Sequence, residues 1–109
     1  MSRPASEADY QKLAGRWRRL DGGYFLEFSR VERNGAVRAQ YFNPQPVNVS
    51  RAEWQQQDGR LGVFVELRAP NYPGSTYTLV YDPASDRLVG VYYQAALGQQ
   101  YDIEFRRIQ

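Results

Sequence analysis

The stretch Arg60-Leu61-Gly62-Val63-Phe64-Val65-Glu66-Leu67-Arg68 places Leu61, Val63, Val65 and Leu67 on one side of an extended chain and Gly62, Phe64, Glu66 and Arg68 on the other. Successive side chains of a strand point to opposite faces, so this period of two predicts a strand with one buried face. Asp58-Gly59 stands directly before it, a pair suited to the left-handed backbone of tight hairpins, and the turn formers of Pro70 to Ser75 follow.

The same alternation recurs in both directions. Eight strand candidates cover roughly Arg16 to Leu20, Tyr24 to Val31, Ala36 to Phe42, Val47 to Gln55, Arg60 to Arg68, Thr76 to Tyr81, Arg87 to Gln94 and Gln100 to Arg107. Asp21-Gly22-Gly23, Asn34-Gly35, Asn43-Pro44-Gln45-Pro46, Asp82 to Asp86 and Gly98 punctuate the remaining joins. Every connection is too short for a crossover helix, which predicts antiparallel neighbours in a meander. Such strands close into a barrel or split into two packed sheets; a five-stranded OB barrel would need fewer. The favoured reading is an all-β, eight-stranded antiparallel up-and-down barrel over residues 15–109, preceded by a tail and short helix in residues 1–14.

Alternation also predicts the inward set. Leu61, Val63, Val65 and Leu67 are joined by Val89, Val91 and Tyr93, by Tyr101, Ile103 and Phe105, and by Trp17, Leu26, Phe28, Ala39 and Tyr41. Ser6 offers a capping hydroxyl before acidic first-turn residues and Gly15 a stop, so Glu7 to Ala14 reads as one helix with Tyr10, Leu13 and Ala14 on its apolar face. That helix is expected to plug or flank the barrel.

Composition limits the chemistry. The 109 residues fit one domain, 42% hydrophobic and 24% charged, with nine Tyr, five Phe and two Trp but no His and no Cys. Ser-His-Asp and Cys-His nucleophile systems and the thiolate or imidazole zinc sites are thereby excluded. A net charge of +2 is a small excess rather than a cationic surface, and Arg16, Arg18 and Arg19, like Arg106 and Arg107, split across two faces of their strands. No apolar run reaches the ~18 residues of a membrane helix. Met1 to Asp9 lack a basic start and apolar stretch of a signal peptide.

Gly15-Arg16-Trp17, then Leu20-Asp21-Gly22-Gly23, an aromatic strand through Phe25 and Phe28, Asn34-Gly35, a strand ending at Tyr41 and, later, Leu88-Val89-Gly90-Val91-Tyr92 follow an order that resembles avidin-like and other calycin barrels. The resemblance implies that Trp17 lies across the barrel floor. It does not carry biotin binding over: Arg19 stands where an avidin has a polar Asn, Gly23 where it has a Ser, and only Tyr41 and Asn43 match later ligand positions. Tyr41 to Pro46 and Asn71 to Tyr77 are similar to signatures of a group of bacterial domains; such domains are often exported, which tilts the expected location toward the periplasm.

The aromatic residues carry the functional expectation. Tyr and Trp join a large apolar body to one polar tip, so several converging at a cavity could orient a planar or apolar ligand. Tyr24, Tyr41, Asn43, Trp54, Tyr72, Tyr77 and Tyr93 are the candidates, against the alternative that a small barrel fills itself with such rings. Tyr72, between turn formers, is either an exposed contact residue or a lid over one mouth. Glu27, Glu66, Asp102 and Glu104 are the available acid-base groups, and alternation turns the last three away from the apolar face of their strands. Asp58-Gly59 and Asp82 to Asp86 read as turns rather than calcium loops. The expectation is a non-enzymatic binder of a small apolar or aromatic ligand at one mouth, with no cofactor or metal implied. A protein-interaction module or homodimer using outward Phe64, Tyr77, Tyr92 and Trp54 is the second reading, and a single-stranded nucleic-acid binder the third and disfavoured one.

Overall fold

The computed structural model describes residues 6–69 and 72–108, the side chains of Glu7, Tyr72 and Pro73 excepted. Among them nine strands form one antiparallel sheet that curls into a nearly closed barrel. They are β1 (Gly15–Arg19), β2 (Phe25–Val31), β3 (Val37–Asn43), β4 (Gln45–Val47), β5 (Val49–Gln57), β6 (Arg60–Ala69), β7 (Tyr72–Asp82), β8 (Arg87–Gln94) and β9 (Gln99–Ile108). The first strand zips to the last, with Trp17 opposite Arg107 and Arg19 opposite Phe105. The meander and its closure are as the alternation predicts.

The ninth strand arises where one was expected from Val47 to Gln55. Pro44 turns the chain so tightly that Asn43 faces Gln45, and β4 lies back along β3. Pro46 cannot donate to a ladder, and an edge strand tolerates that. Asn48 then turns a corner against the end of β6, its Nδ2 donating to the Arg68 carbonyl at 3.2 Å while the Arg68 N–H donates to the Asn48 carbonyl at 3.0 Å. The sheet order therefore ends on β4 and β5, and the gap is spanned beside the start of β3, where the Ala36–Glu53 bridge and the Trp54 N–H donating to the Gly35 carbonyl at 2.8 Å tie that end of the chain to β5. A second correction concerns residues 70–75. The pairing of β6 with β7 runs out to Ala69 opposite Tyr72, so most of the expected loop is strand.

Leu61, Val63, Val65 and Leu67 are buried as predicted, as are Trp17, Leu26, Phe28, Tyr41, Ile103 and Phe105. Each such aliphatic or aromatic side chain contributes about 1.5–3 kcal/mol by leaving water. On β8 the expected face is inverted: Leu88 and Tyr92 are buried, whereas Val89 and Tyr93 are exposed. Gly90 explains the inversion. A Cβ at Gly90 would come 2.0 Å from the Thr78 carbonyl oxygen, so glycine lets the backbone of β7 press on β8 where the sheet curls.

The N-terminal helix is one α-turn, α1 (Glu7–Tyr10), running into a 3₁₀ turn, Gln11–Leu13, which is shorter and tighter than the expected Glu7 to Ala14. Ser6 and Asp9 cap it reciprocally: the Asp9 N–H donates to Ser6 Oγ at 3.3 Å and the Ser6 N–H to Asp9 Oδ2 at 3.1 Å. Tyr10 and Leu13 are buried beneath one end of the barrel.

Candidate ligand site at the barrel mouth

The two barrel ends differ. At the plugged end the last carbonyls of the 3₁₀ turn lack partners of their own and are taken by side chains from the sheet. The Trp17 indole N–H donates to the Leu13 carbonyl at 3.0 Å, and Arg107 donates to the carbonyls of Ala14, at 2.6 Å, and Lys12. The same guanidinium lies 4.3 Å over the Trp17 ring and donates to Asp86 Oδ2 at 2.9 Å and Oδ1 at 3.2 Å. Tyr81 adds its hydroxyl to Asp86 at 2.8 Å. The hydrogen bond from Arg107 holds the Asp86 carboxyl below the usual carboxylate range, while burial and the contact with Asp86 push the Tyr81 phenol up.

The opposite end gathers the start of β2, β7 and β9 and the end of β1, β3 and β8. Here Arg19 points inward from the same face of β1 as Trp17 and is only 9% exposed. Its Nε and Nη2 donate to the two carboxylate oxygens of Asp21 at 2.7 and 2.6 Å, a fork-on-fork arrangement, and its Nη1 donates to the Tyr77 hydroxyl at 2.9 Å. The Tyr77 and Tyr41 hydroxyls are 3.0 Å apart and hydrogen-bonded. The guanidinium carbon lies 4.3 Å from the centre of the Tyr24 ring and 5.5 Å from that of Tyr92, so the cation is held between aromatic faces. Tyr24 stacks near Tyr41 at 6.4 Å, Tyr41 packs on Tyr77 at 5.6 Å, and Tyr77 on Tyr92 at 4.6 Å. Tyr101 continues the series at 6.4 Å from Tyr92 and is 41% exposed at the rim. Gly22 belongs to the same construction, since a Cβ there would sit 2.8 Å from the Tyr24 ring.

Electrostatics follow from this burial. Desolvation works against the Arg19 charge, but the Asp21 hydrogen bond and the Tyr77 hydroxyl outweigh it and hold the guanidinium more firmly protonated than usual. Asp21 is pulled below the ordinary carboxylate range by its hydrogen bonds from Arg19. Burial pushes the Tyr77 phenol up to about 12, against the opposing pull of the Tyr41 hydrogen bond and the Arg19 charge. At neutral pH the mouth thus holds one fixed cation, one anion and a neutral phenol chain.

Of the predicted site residues, Tyr24, Tyr41 and Tyr77 converge here, and Asn43 ends β3 at the same rim, half-buried. Trp54 does not join them. It lies at the plugged end, stacked on Tyr10 at 4.8 Å, with its indole N–H donating to the Glu32 carbonyl at 2.6 Å. Tyr93 is also misplaced by the inverted β8: it faces outward, opposite Thr76 and Gln100, and is 37% exposed. The Tyr72 side chain lies outside the described part of the structure. Among the residues expected on an outward interaction face, Tyr77 and Tyr92 are inside the barrel, and Phe64 is half-buried with the Arg51 guanidinium 5.2 Å over its ring.

Arg19, Asp21, Tyr92 and Tyr101 are the mouth residues that the sequence reading missed. Alternation itself points to Arg19, which shares the parity of Trp17, and Asp21 stands two residues further on. The carboxylates considered for acid-base work lie on the outer surface, Glu27 near Arg16 at 3.8 Å, Glu66 with Ser50 at 2.8 Å and Glu104 with Arg87 at 3.2 Å. An open groove of about 1090 Å³ also lies on that outer surface, beside Asn34, Arg51, Glu53 and Phe64. Its lining mixes charged and apolar side chains and lacks the convergence of rings and buried charge that distinguishes the mouth. Among the described residues no cluster of acidic side chains could hold a metal ion, and no helix is long and apolar enough to cross a membrane. No family model, curated protein or solved structure matches the chain.

Proposed function

We propose that this barrel is a non-enzymatic binder of a small apolar or aromatic ligand, taken at the mouth lined by Tyr24, Tyr41, Tyr77 and Tyr92. The observation that carries the reading is the asymmetry of the ends: one is stoppered by α1 and its 3₁₀ turn, while the other gathers four tyrosine rings around a buried guanidinium. The middle of the barrel is filled by Trp17, Phe28, Phe105, Leu26, Val65 and Leu79, so a ligand would lie on this aromatic floor rather than pass into the interior. Rings offer a planar molecule broad apolar contact, and phenol oxygens orient its polar edge. The same reading takes the fold as an avidin-like barrel, in keeping with the buried Trp17 on the first strand, but without the biotin contacts.

The test is a thermal-shift screen of planar and apolar metabolites on the wild-type protein and Tyr24→Ala. A ligand at 100 times its dissociation constant adds about 2.7 kcal/mol of stability. Compounds that raise the wild-type melting temperature and fail on Tyr24→Ala support the mouth. Shifts of equal size on both proteins would place binding elsewhere and reject the proposal.

A further inference from the structure

The geometry points to Arg19 as a carboxylate-reading residue, with Asp21 occupying its place as a built-in stand-in for the acid group of an aromatic carboxylate ligand. This inference rests on the proposed ligand site and specifies the class of molecule it takes.

The argument begins with how the guanidinium is surrounded. Tyr24 and Tyr92 lie over it, and Nη1 is committed to the Tyr77 hydroxyl. The remaining edge, Nε and Nη2, carries the carboxylate of Asp21, whose side chain is 57% exposed. Asp21 reaches the fork from the solvent side, so the group that satisfies this buried cation sits where a solute can also arrive. A guanidinium fork matches any carboxylate in the same two-bond geometry. An acid arriving from solvent can therefore replace Asp21 without disturbing the Arg19 to Tyr77 to Tyr41 chain.

The exchange is close to balanced. One carboxylate leaves the fork and regains water, another enters, and the buried charge is never left bare. Asp21 sits in the Leu20 to Tyr24 connection with its side chain 57% exposed, so a side-chain rotation into water would free the fork without moving the backbone. What tips the balance toward the ligand is its ring, which gains contact with Tyr24 and Tyr92 that the aspartate methylene cannot make. Neutral aromatics obtain the ring contact without the fork, so they bind more weakly.

Benzoate and its neutral isostere benzamide provide the probes. Each is titrated into the wild-type protein and into Asp21→Asn, followed by NMR signals of the Arg19 Nε–H and the mouth tyrosines. In the wild type, benzoate binds more tightly than benzamide and shifts the Arg19 Nε–H. Asp21→Asn, which weakens the competitor and leaves the guanidinium in place, tightens benzoate by about tenfold, equivalent to about 1.4 kcal/mol, and leaves benzamide unchanged. Arg19→Lys retains the charge but not the fork, and loses the preference for benzoate. Equal binding of the two probes, with tyrosine shifts abolished in Tyr24→Ala, would overturn the carboxylate assignment while sparing the aromatic site. No binding of either probe to either protein would overturn both.

Discussion

At the plugged end Arg107 lies 4.3 Å over Trp17, and at the mouth Arg19 lies 4.3 Å over Tyr24. Both come from inward positions on the β1–β9 seam, and both grip an aspartate by two hydrogen bonds. The difference lies in what else each one holds. Arg107 takes backbone carbonyls, Ala14 and Lys12, groups that cannot leave, so it rivets the stopper to the barrel. Arg19 takes side chains, the Tyr77 phenol and an exposed carboxylate, groups that other molecules can imitate. The same chemical kit thus closes one end and leaves the other exchangeable.

If the plugged end is structural, its substitutions should be the most damaging. Trp17→Ala removes a fully buried indole together with its bond to the Leu13 carbonyl, and should cost about 3–5 kcal/mol in urea unfolding. A loss of under about 1 kcal/mol would mean that the stopper and barrel do not unfold together.

The next effect down is Arg107→Met, which keeps an apolar stem over Trp17 but strands two carbonyls and Asp86. The expected loss is about 2–3 kcal/mol, measured in the same way. Acid should then weaken both ends. Hydrogen bonds from Arg107 and Arg19 lower the folded-state titration of Asp86 and Asp21 respectively. A carboxyl depressed on folding stabilises the protein fully above its unfolded pKa, about 3.9, and that contribution disappears as pH falls through the lower folded value. Asp86→Asn should therefore flatten the fall in stability below about pH 4. An acid profile parallel to wild type would show that Asp86 is not responsible.

How far the sequence foretold this contrast depends on the residue. Period-two patterning was sufficient for β6 and β9, where apolar and polar residues alternate cleanly, and Ser6 with Asp9 announced the cap. It failed on β8, because both faces are apolar enough and the choice is made by a backbone approach at Gly90 that no local pattern records. Charge obscured the two ends. Alternation places Arg19 beside Trp17 and Arg107 beside Phe105, but the habit of assigning arginine to water overrides it until the aspartates and tyrosines that satisfy them are brought together from other strands. Those partners are set by strand register and turns, and the corner at Pro44 and Asn48 shows how a turn can redirect half of an expected strand.

A smaller effect probes the link between the mouth cation and the core. Tyr77→Phe leaves the ring packing intact and deletes the hydroxyl between Arg19 and Tyr41, for an expected loss of about 1 kcal/mol. Spectrophotometric titration supplies a second readout. Because the folded phenol titrates at about 12, it helps stability fully below the ordinary tyrosine range, near pH 10, and that help is lost as pH rises through about 12. A tyrosine that ionises near pH 12 in the wild-type protein should be missing from Tyr77→Phe; its persistence would assign that phenol elsewhere.

The smallest expected change in stability is also the one that most sharpens the comparison. Tyr24 is half-buried, and its ring contributes a face to Arg19 and a neighbour to Tyr41, at the rim of the hydrogen-bonded phenol chain. Tyr24→Ala should cost about 0.5–1 kcal/mol, since truncation there opens no cavity in the core and water can reach the vacated side of the guanidinium. Binding of aromatic compounds should nevertheless collapse, because the platform on which a ring would rest is gone. A structural residue would show the opposite relation, the one expected of Trp17→Ala, with a large loss of stability. Measured side by side, unfolding and binding for these two variants ask whether the ends are chemically similar but divided in task; a Tyr24→Ala protein as damaged as Trp17→Ala would show instead that both ends are stoppers.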